Sequence, residues 1–288
     1  MPDIWETAAI LAKLLLFIGI LGATGLVIIR MAFADLVSPV VGRMRRQATG
    51  LAGLSIMASA FGFMLRGAAL TGGADGMSDP EILGLLWQTP AGDVLILRLL
   101  GAGMIILGLW VDRFGNWIAL CGGLVALWSF AQIGHILEAP VMGVQALLFL
   151  HLVGISFWIG VLGPLRDLSR QPEHLDRAAR LGHGFGQIAM VSVPAVLLAG
   201  VAMAWLLLGD PRALVTTGYG QTLLVKLALV AAVLMLATAN KLRFVPAMQT
   251  GDHRAAGHLV RSIEFEAALI LAALLVTAVL TSVLTLPN

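Results

Sequence analysis

The sequence predicts an all-α, polytopic membrane protein, an eight-helix transmembrane bundle with both termini on the outer side. Hydrophobic residues make up 59% of its 288 residues and charged residues only 12%, about half the share usual in a soluble domain. The apolar residues fall into separate runs of about twenty, the length that crosses a bilayer. No soluble core could bury this much apolar surface, so we expect a single transmembrane domain over residues 1–288.

Eight apolar runs give the predicted helices. The chain starts directly in the first run, so no cleavable signal peptide is expected, and a single cysteine excludes an intrachain disulfide. The acidic connection 71–91 is predicted to contain a short interfacial helix near Trp87. The eight predicted helices cover residues 6–33, 48–70, 92–111, 117–136, 144–165, 185–208, 221–240 and 263–285.

The distribution of basic residues predicts the orientation of the bundle. The loops after the first, third, fifth and seventh runs are rich in arginine and lysine, whereas the opposite loops contain only Arg212. Basic loops stay on the cytoplasmic side, so both termini are expected outside, in the periplasm if the cell has one. The basic residues are Arg30, Arg43, Arg45, Arg46, Arg113, Arg166, Arg170, Arg177, Arg180, Lys241, Arg243, Arg254 and Arg261.

Two histidines are the most specific candidates for chemistry. His135 closes the fourth run and His151 lies near the start of the fifth, on either side of one short outer loop. A polar side chain at that depth is costly and usually functional. Glu138 lies one turn above His135, and Met142 lies in the loop. Imidazoles with a nearby carboxylate or thioether can bind copper, so these four residues are predicted to form a metal site.

A simpler interpretation exists for these histidines and for the residues below them. An intramembrane histidine can merely hydrogen-bond a carbonyl or a serine on the next helix. Trp128 and Trp158 lie seven residues deeper than the histidines, on the same helix faces. They are either packing residues or part of a pathway. Met57, Met64 and Met104 are gap-filling core residues or the first candidates for a metal path across the bilayer.

Several ionisable residues fall inside the apolar runs, and three of them are singled out as candidates for pairing or function. Arg98 lies two turns into the third run, Lys226 one to two turns into the seventh, and Glu266 is the deepest acid of the eighth. Such residues pair within the bundle or line a functional pocket. We expect Glu266 to pair with a basic residue or to relay a proton, and Glu264 to meet Arg261.

The residues leave three functions open. The first is a transporter that binds copper near its outer face and passes it inward; without a nucleotide-binding motif, its transport would be passive or ion-coupled. The second is a membrane redox protein, linked to haem b or quinol, because two membrane histidines can also ligate haem. The third is a non-transporting scaffold for the assembly of a copper enzyme. The prediction is that the chain is not an enzyme and binds no nucleic acid.

Several spaced residues carry a resemblance to a known family. They are Gly134-His135, His151 followed by Trp158-Ile159-Gly160 and Leu165, Tyr219-Gly220 leading to Lys226, Asn240, Pro246, and Arg261-Ser262 with Glu266. In these residues the chain resembles the copper resistance protein D (CopD) family. The resemblance is strongest over residues 134–286 and extends more weakly to about residue 92, and the first two helices are the least family-specific.

The resemblance implies a bacterial inner-membrane protein with about eight helices that handles copper. Members are thought to move copper across the inner membrane or deliver it there, more often as uptake than as efflux. The resemblance also implies a periplasmic copper-binding partner of the CopC type. It places the chain in the inner membrane as a multi-pass protein, and it leaves the oligomeric state open.

Overall fold

The computed structural model describes residues 3–111, 113–133, 143–249 and 253–284, and these ranges are helical and contain no strand. Among them are eight long helices, labelled α1–α8. They are α1 (Ile4–Ala32), α2 (Val41–Thr71), α3 (Pro90–Trp110), α4 (Gly115–Trp128), α5 (Val144–Ser169), α6 (Leu175–Leu208), α7 (Gly218–Ala239) and α8 (His253–Ser282).

Seven helices in the described part of the chain are long and apolar enough to cross a membrane. They fit a multi-pass membrane protein. The predicted count of eight is not confirmed, because α4 has only 14 residues and continues as a 3-10 helix over Ser129–Gln132. The Ser129 hydroxyl donates to the carbonyl of Ala126 at 2.6 Å at this transition.

Three helices begin earlier than the hydropathy predicts. α2 starts at Val41 instead of residue 48, α6 at Leu175 instead of 185, and α8 at His253 instead of 263. The added turns contain arginine, alanine and other residues that favour helix but lower the hydropathy. Hydropathy therefore marks the apolar part of each helix and misses its polar extension at the basic side.

α1 is the central helix of the bundle. It packs against α2, α5, α8 and α4, and most of its apolar span is buried. At the crossing with α5, a Cβ added to Gly160 would lie 2.2 Å from the carbonyl carbon and oxygen of Gly25. Glycines at such a crossing let two helix backbones approach closely, so this contact positions α5 against the core.

The two ends of the bundle differ in charge. At one end, called here the basic end, Arg43 of α2 pairs with Asp167 of α5 at 2.9 Å. Arg166 of α5 and Arg170, which directly follows α5, pair with Glu264 of α8. The opposite end carries the 71–91 connection. The predicted short helix there is confirmed and runs over Pro80–Trp87, with its first turn capped by the carboxylate of Asp79.

Candidate functional site

The His151 imidazole is bound to a neighbouring helix. Its Nδ1 lies 2.9 Å from the carbonyl oxygen of Val196 on α6. Gly200, one turn further along α6, leaves room for the ring, since a Cβ there would lie 3.3 Å from the His151 Cε1. The bonded edge of the ring therefore faces α6.

This contact fixes which nitrogen of His151 carries the hydrogen. A carbonyl oxygen can only accept, so Nδ1 is the donor and Nε2 keeps its lone pair in the neutral ring. Metal-binding histidines use the same arrangement, in which the other ring N–H is held by a carbonyl or carboxylate. The structure also agrees with the simpler interpretation, in which His151 only hydrogen-bonds a backbone carbonyl. This bond and metal binding are compatible, because they use different ring nitrogens.

The remaining predicted ligands, His135, Glu138 and Met142, lie outside the described residues. A site shared by His135 and His151 therefore stays a prediction. Within the described ranges, no group of three or more histidine, cysteine, aspartate or glutamate side chains comes together to hold a metal ion.

A second polar cluster lies deeper in the bundle, around Glu266 of α8. The Trp158 indole, seven residues along α5 from His151, donates from Nε1 to Glu266 Oε1 at 2.5 Å. The Asn240 amide donates from Nδ2 to Glu266 Oε2 at 3.0 Å. Glu266 is only 2% exposed, so α5, α7 and α8 meet around a buried carboxyl group.

Asn240 lies where α7 changes its helical form. Residues Asn240–Phe244 form a π-helical turn, and the chain continues as a short α-helix over Val245–Gln249. Such turns inside α-helices are frequent at functional sites. The next side chain, Lys241, donates from Nζ to the carbonyl of Gly186 on α6 at 3.1 Å, so this turn joins the carboxyl cluster to α6.

The expected partners of the two acids on α8 are corrected by these contacts. Among the described residues, the groups that hydrogen-bond Glu266 are an indole and an amide instead of the expected basic residue. Glu264 pairs with Arg166 of α5 and with Arg170 directly after that helix instead of Arg261. The two carboxylates are two residues apart and point in different directions on the helix, so one faces the interior and the other the basic end.

The other two intramembrane charges lie elsewhere in the bundle. Arg98 of α3 donates from Nε to the Ser129 hydroxyl at 3.2 Å, and its guanidinium carbon lies 5.1 Å from the ring centroid of Phe130. Lys226 of α7 interacts electrostatically with His151. Arg98 thus bridges α3 to the segment after α4, and Lys226 lies in the neighbourhood of the His151 ring.

The residues suggested as a pathway do not form one interior line. Trp128 is 37% exposed and packs edge-on against Phe149. Met57 and Met64 are 72% and 36% exposed, so they lie on the outside of the described bundle. Met104 is partly buried at the crossing of α3 and α4, where its Cβ is close to Gly122. Trp158 alone reaches the interior polar cluster.

Sequence reasoning did not assign Asn240 and Ser129 to a site. Asn240 is one of the residues that carry the family resemblance. It is also a polar residue at the end of an apolar run, and that feature of the sequence could have indicated a role in a site. No signal connected Ser129 with Arg98, because the contact depends on how α3 and the segment after α4 pack.

Comparison with known proteins gives matches over most of the chain. The family described as "Copper resistance protein D" matches residues 179–280, and "Copper resistance protein D-like, N-terminal domain" matches residues 1–139. The first helices, whose residues are the least family-specific, thus have a match of their own. The stretch 140–178, with His151 and Trp158, lies between the two matched ranges.

A relative from Bacillus subtilis (strain 168), "Copper transport protein CutJ", is 28% identical over 213 residues. The alignment covers 68% of this chain and 37% of the relative, so the chain spans little more than a third of that protein's length. No solved structure matches the chain. Both matched ranges are described as copper resistance protein D or D-like, and the relative is described as a copper transport protein. The chain therefore belongs to the copper resistance protein D family.

Proposed function

We propose that this protein binds copper at the end of the bundle where residues 133–143 connect α4 to α5, and moves it inward across the membrane. The observation that carries the proposal is His151, whose Nδ1 is held by the Val196 carbonyl while Nε2 is left as a possible ligand. Family membership supports copper as the substrate. His135, Glu138 and Met142 are the proposed further ligands.

The proposal places the protein in the bacterial inner membrane, with both termini and the copper site on the periplasmic side. A periplasmic copper-binding protein of the CopC type is the proposed donor of the ion. No catalytic reaction is assigned to the chain, and copper is the transported substrate.

Two substitutions of His151 test the copper site. His151→Ala removes the ligand and the hydrogen bond, whereas His151→Asn places an amide near Nδ1, where it can still donate to the Val196 carbonyl, and removes only Nε2. Both are expected to weaken copper binding by about 100-fold or more, beyond the usual effect of losing an outer-shell partner. His183→Ala, at an exposed position of α6, is the matched control and should bind like the wild type.

Binding is measured by titrating purified protein with copper, and transport by copper uptake into proteoliposomes. Wild-type affinity in both His151 variants would rule out the site. A red protein with a Soret band would identify the haem alternative, and copper binding without uptake would identify a scaffold.

A further inference from the structure

The carboxyl group of Glu266 is buried in the described interior of the bundle, and the side chains that hydrogen-bond it are neutral. It is 2% exposed and lies on a helix apolar enough to span the membrane. A carboxylate in such surroundings is costly unless its charge is neutralised. Its indole and amide partners donate hydrogen bonds but carry no charge, so they cannot neutralise it.

The titratable groups on the elements that pack against α8 are spread towards both ends of these helices. Those on α1, α5 with its C-cap residue, α7, the Asn240–Gln249 segment and α8 itself are Glu6, Lys13, Arg30, His151, Arg166, Asp167, Arg170, Tyr219, Lys226, Lys241, Arg243, His253, Arg254, His258, Arg261 and Glu264. Among the described residues, the groups that hydrogen-bond the Glu266 carboxyl are the Trp158 indole and the Asn240 amide.

Several of these groups bond to partners other than Glu266. Lys13 donates to the Thr281 carbonyl, and Lys241 donates to the Gly186 carbonyl. Arg166 and Arg170 bind Glu264, and Asp167 binds Arg43. Among the described residues, the side chains that hydrogen-bond Glu266 are neutral, so an ion that enters the cluster can supply the counter-charge, and the smallest such ion is a proton.

The Asn240 side chain can bond both protonation states of this carboxyl. Its Nδ2 donates to the ionised group, while its Oδ1 is buried without a hydrogen-bond partner. If the amide turns over, Oδ1 faces the carboxyl and can accept from the O–H of the protonated form. Ser262, one turn before Glu266 on α8, also has a buried hydroxyl without a hydrogen-bond partner.

We propose that Glu266 is a reversible proton-binding site and that its proton is exchanged against copper during transport. The site is the Glu266–Trp158–Asn240 cluster, and α5 connects it to His151, which is seven residues or about 10 Å of helix away. When the charge of copper enters from the His151 end, the proton leaves the carboxyl as H⁺, and it returns when copper has left. No electron is transferred. The exchange, but not the proton site itself, rests on the proposed copper transport.

The proton site is tested without copper, by infrared spectroscopy of the purified protein during a pH titration. The wild type should show a carboxylic acid C=O band that appears and disappears reversibly with pH. Glu266→Gln should lack this band, Glu266→Asp should keep it at a shifted position, and Glu264→Gln, which alters the ion-paired acid of the same helix, should keep it unchanged. A titrating band that persists unaltered in Glu266→Gln, or one that responds to sodium instead of pH, would overturn the proposal.

The exchange is tested in proteoliposomes containing a pH-sensitive dye. Copper entry through the wild type and Glu264→Gln should be accompanied by proton movement in the opposite direction. Glu266→Gln should still bind copper at the His151 end but lose this proton movement. Proton movement that persists in Glu266→Gln would overturn the exchange. A wild type without copper uptake but with a normal infrared titration would refute the transport function and the exchange while supporting the proton site.

Discussion

The contact between Gly160 of α5 and Gly25 of α1 determines how closely the two helices that form the centre of the bundle can approach. A single added methyl group at Gly160 would lie 2.2 Å from backbone atoms of Gly25. Backbone atoms cannot move aside as the end of a flexible side chain can, so the helices must separate. Because α5 also carries His151 and Trp158, a shift here would move both polar clusters.

Gly160→Ala is therefore expected to lower the free energy of unfolding by about 1–3 kcal/mol, the usual cost of overpacking a core. Gly53→Ala on α2 is the matched control, since a Cβ there has no atom within 4 Å. That change should be neutral or stabilise the helix by up to about 1 kcal/mol. Unfolding of the purified protein in a denaturing detergent, followed by circular dichroism, measures both. Equal stability of the two variants would show that the crossing is looser than the structure describes.

The residue types at the candidate sites could be predicted from sequence, but the directions of their side chains could not. Spacing placed His151 and Trp158 on one face of α5, and both do bond to other helices. Spacing could not show that the bonded edge of His151 faces α6, or that Trp158 reaches Glu266. Partner choice depends on which helices touch, and that follows from small-residue contacts far apart in the sequence.

At the level of helices, ion pairs fasten α2, α5 and α8 together at the basic end. The Asp167 carboxylate of α5 is buried, whereas the Arg43 side chain that binds it is 56% exposed. Removing the partner of a buried charge lowers the free energy of unfolding by more than the intact pair contributes to it, because the remaining charge stays buried without an opposite charge. Arg166 also approaches Asp167, at 3.9 Å, and can take over part of the role of Arg43.

Arg43→Ala should consequently destabilise the protein by about 1–3 kcal/mol, the cost of leaving a buried polar group without its partner. The control is Arg180→Ala, which breaks the exposed pair between Arg180 and Asp176 on one turn of α6. Such i,i+4 pairs contribute about 0.5 kcal/mol or less. Thermal unfolding in several salt concentrations compares the two. An effect of Arg43→Ala no larger than that of Arg180→Ala would mean that Arg166 alone compensates Asp167.

The helices themselves were predictable where their apolar spans are continuous, and their ends were not. α1, α3 and α7 lie within a few residues of their predicted bounds, while α2, α6 and α8 extend beyond the bilayer-length run on the basic side. α4 ends early in a 3-10 helix at Ser129. Hydropathy reflects only the free energy of transferring a segment from water into lipid. It therefore cannot indicate a polar extension of a helix or a change from one helical form to another.

For the whole molecule, α5 connects the two features on which the proposals rest. His151 lies near its start, Trp158 about two turns further on, and the ion pairs of Arg166 and Asp167 near its end. A cation entering beside His151 would therefore meet the Glu266 cluster before it reached the basic end. The proposed inward transport follows this order only if the His151 end faces the periplasm, so the orientation of the bundle decides whether the proposal can hold.

The charge distribution predicts that the basic end faces the cytoplasm. In a Cys121→Ala background, Ser78→Cys places one thiol on the exposed 71–91 connection, and Glu173→Cys places one between α5 and α6. A membrane-impermeant maleimide added to intact spheroplasts should label Ser78→Cys and leave Glu173→Cys unmodified, and lysis should make both reactive. The parent without cysteine is the control for background labelling. The reverse pattern would put the His151 end in the cytoplasm, and copper bound there would then move by efflux instead of uptake.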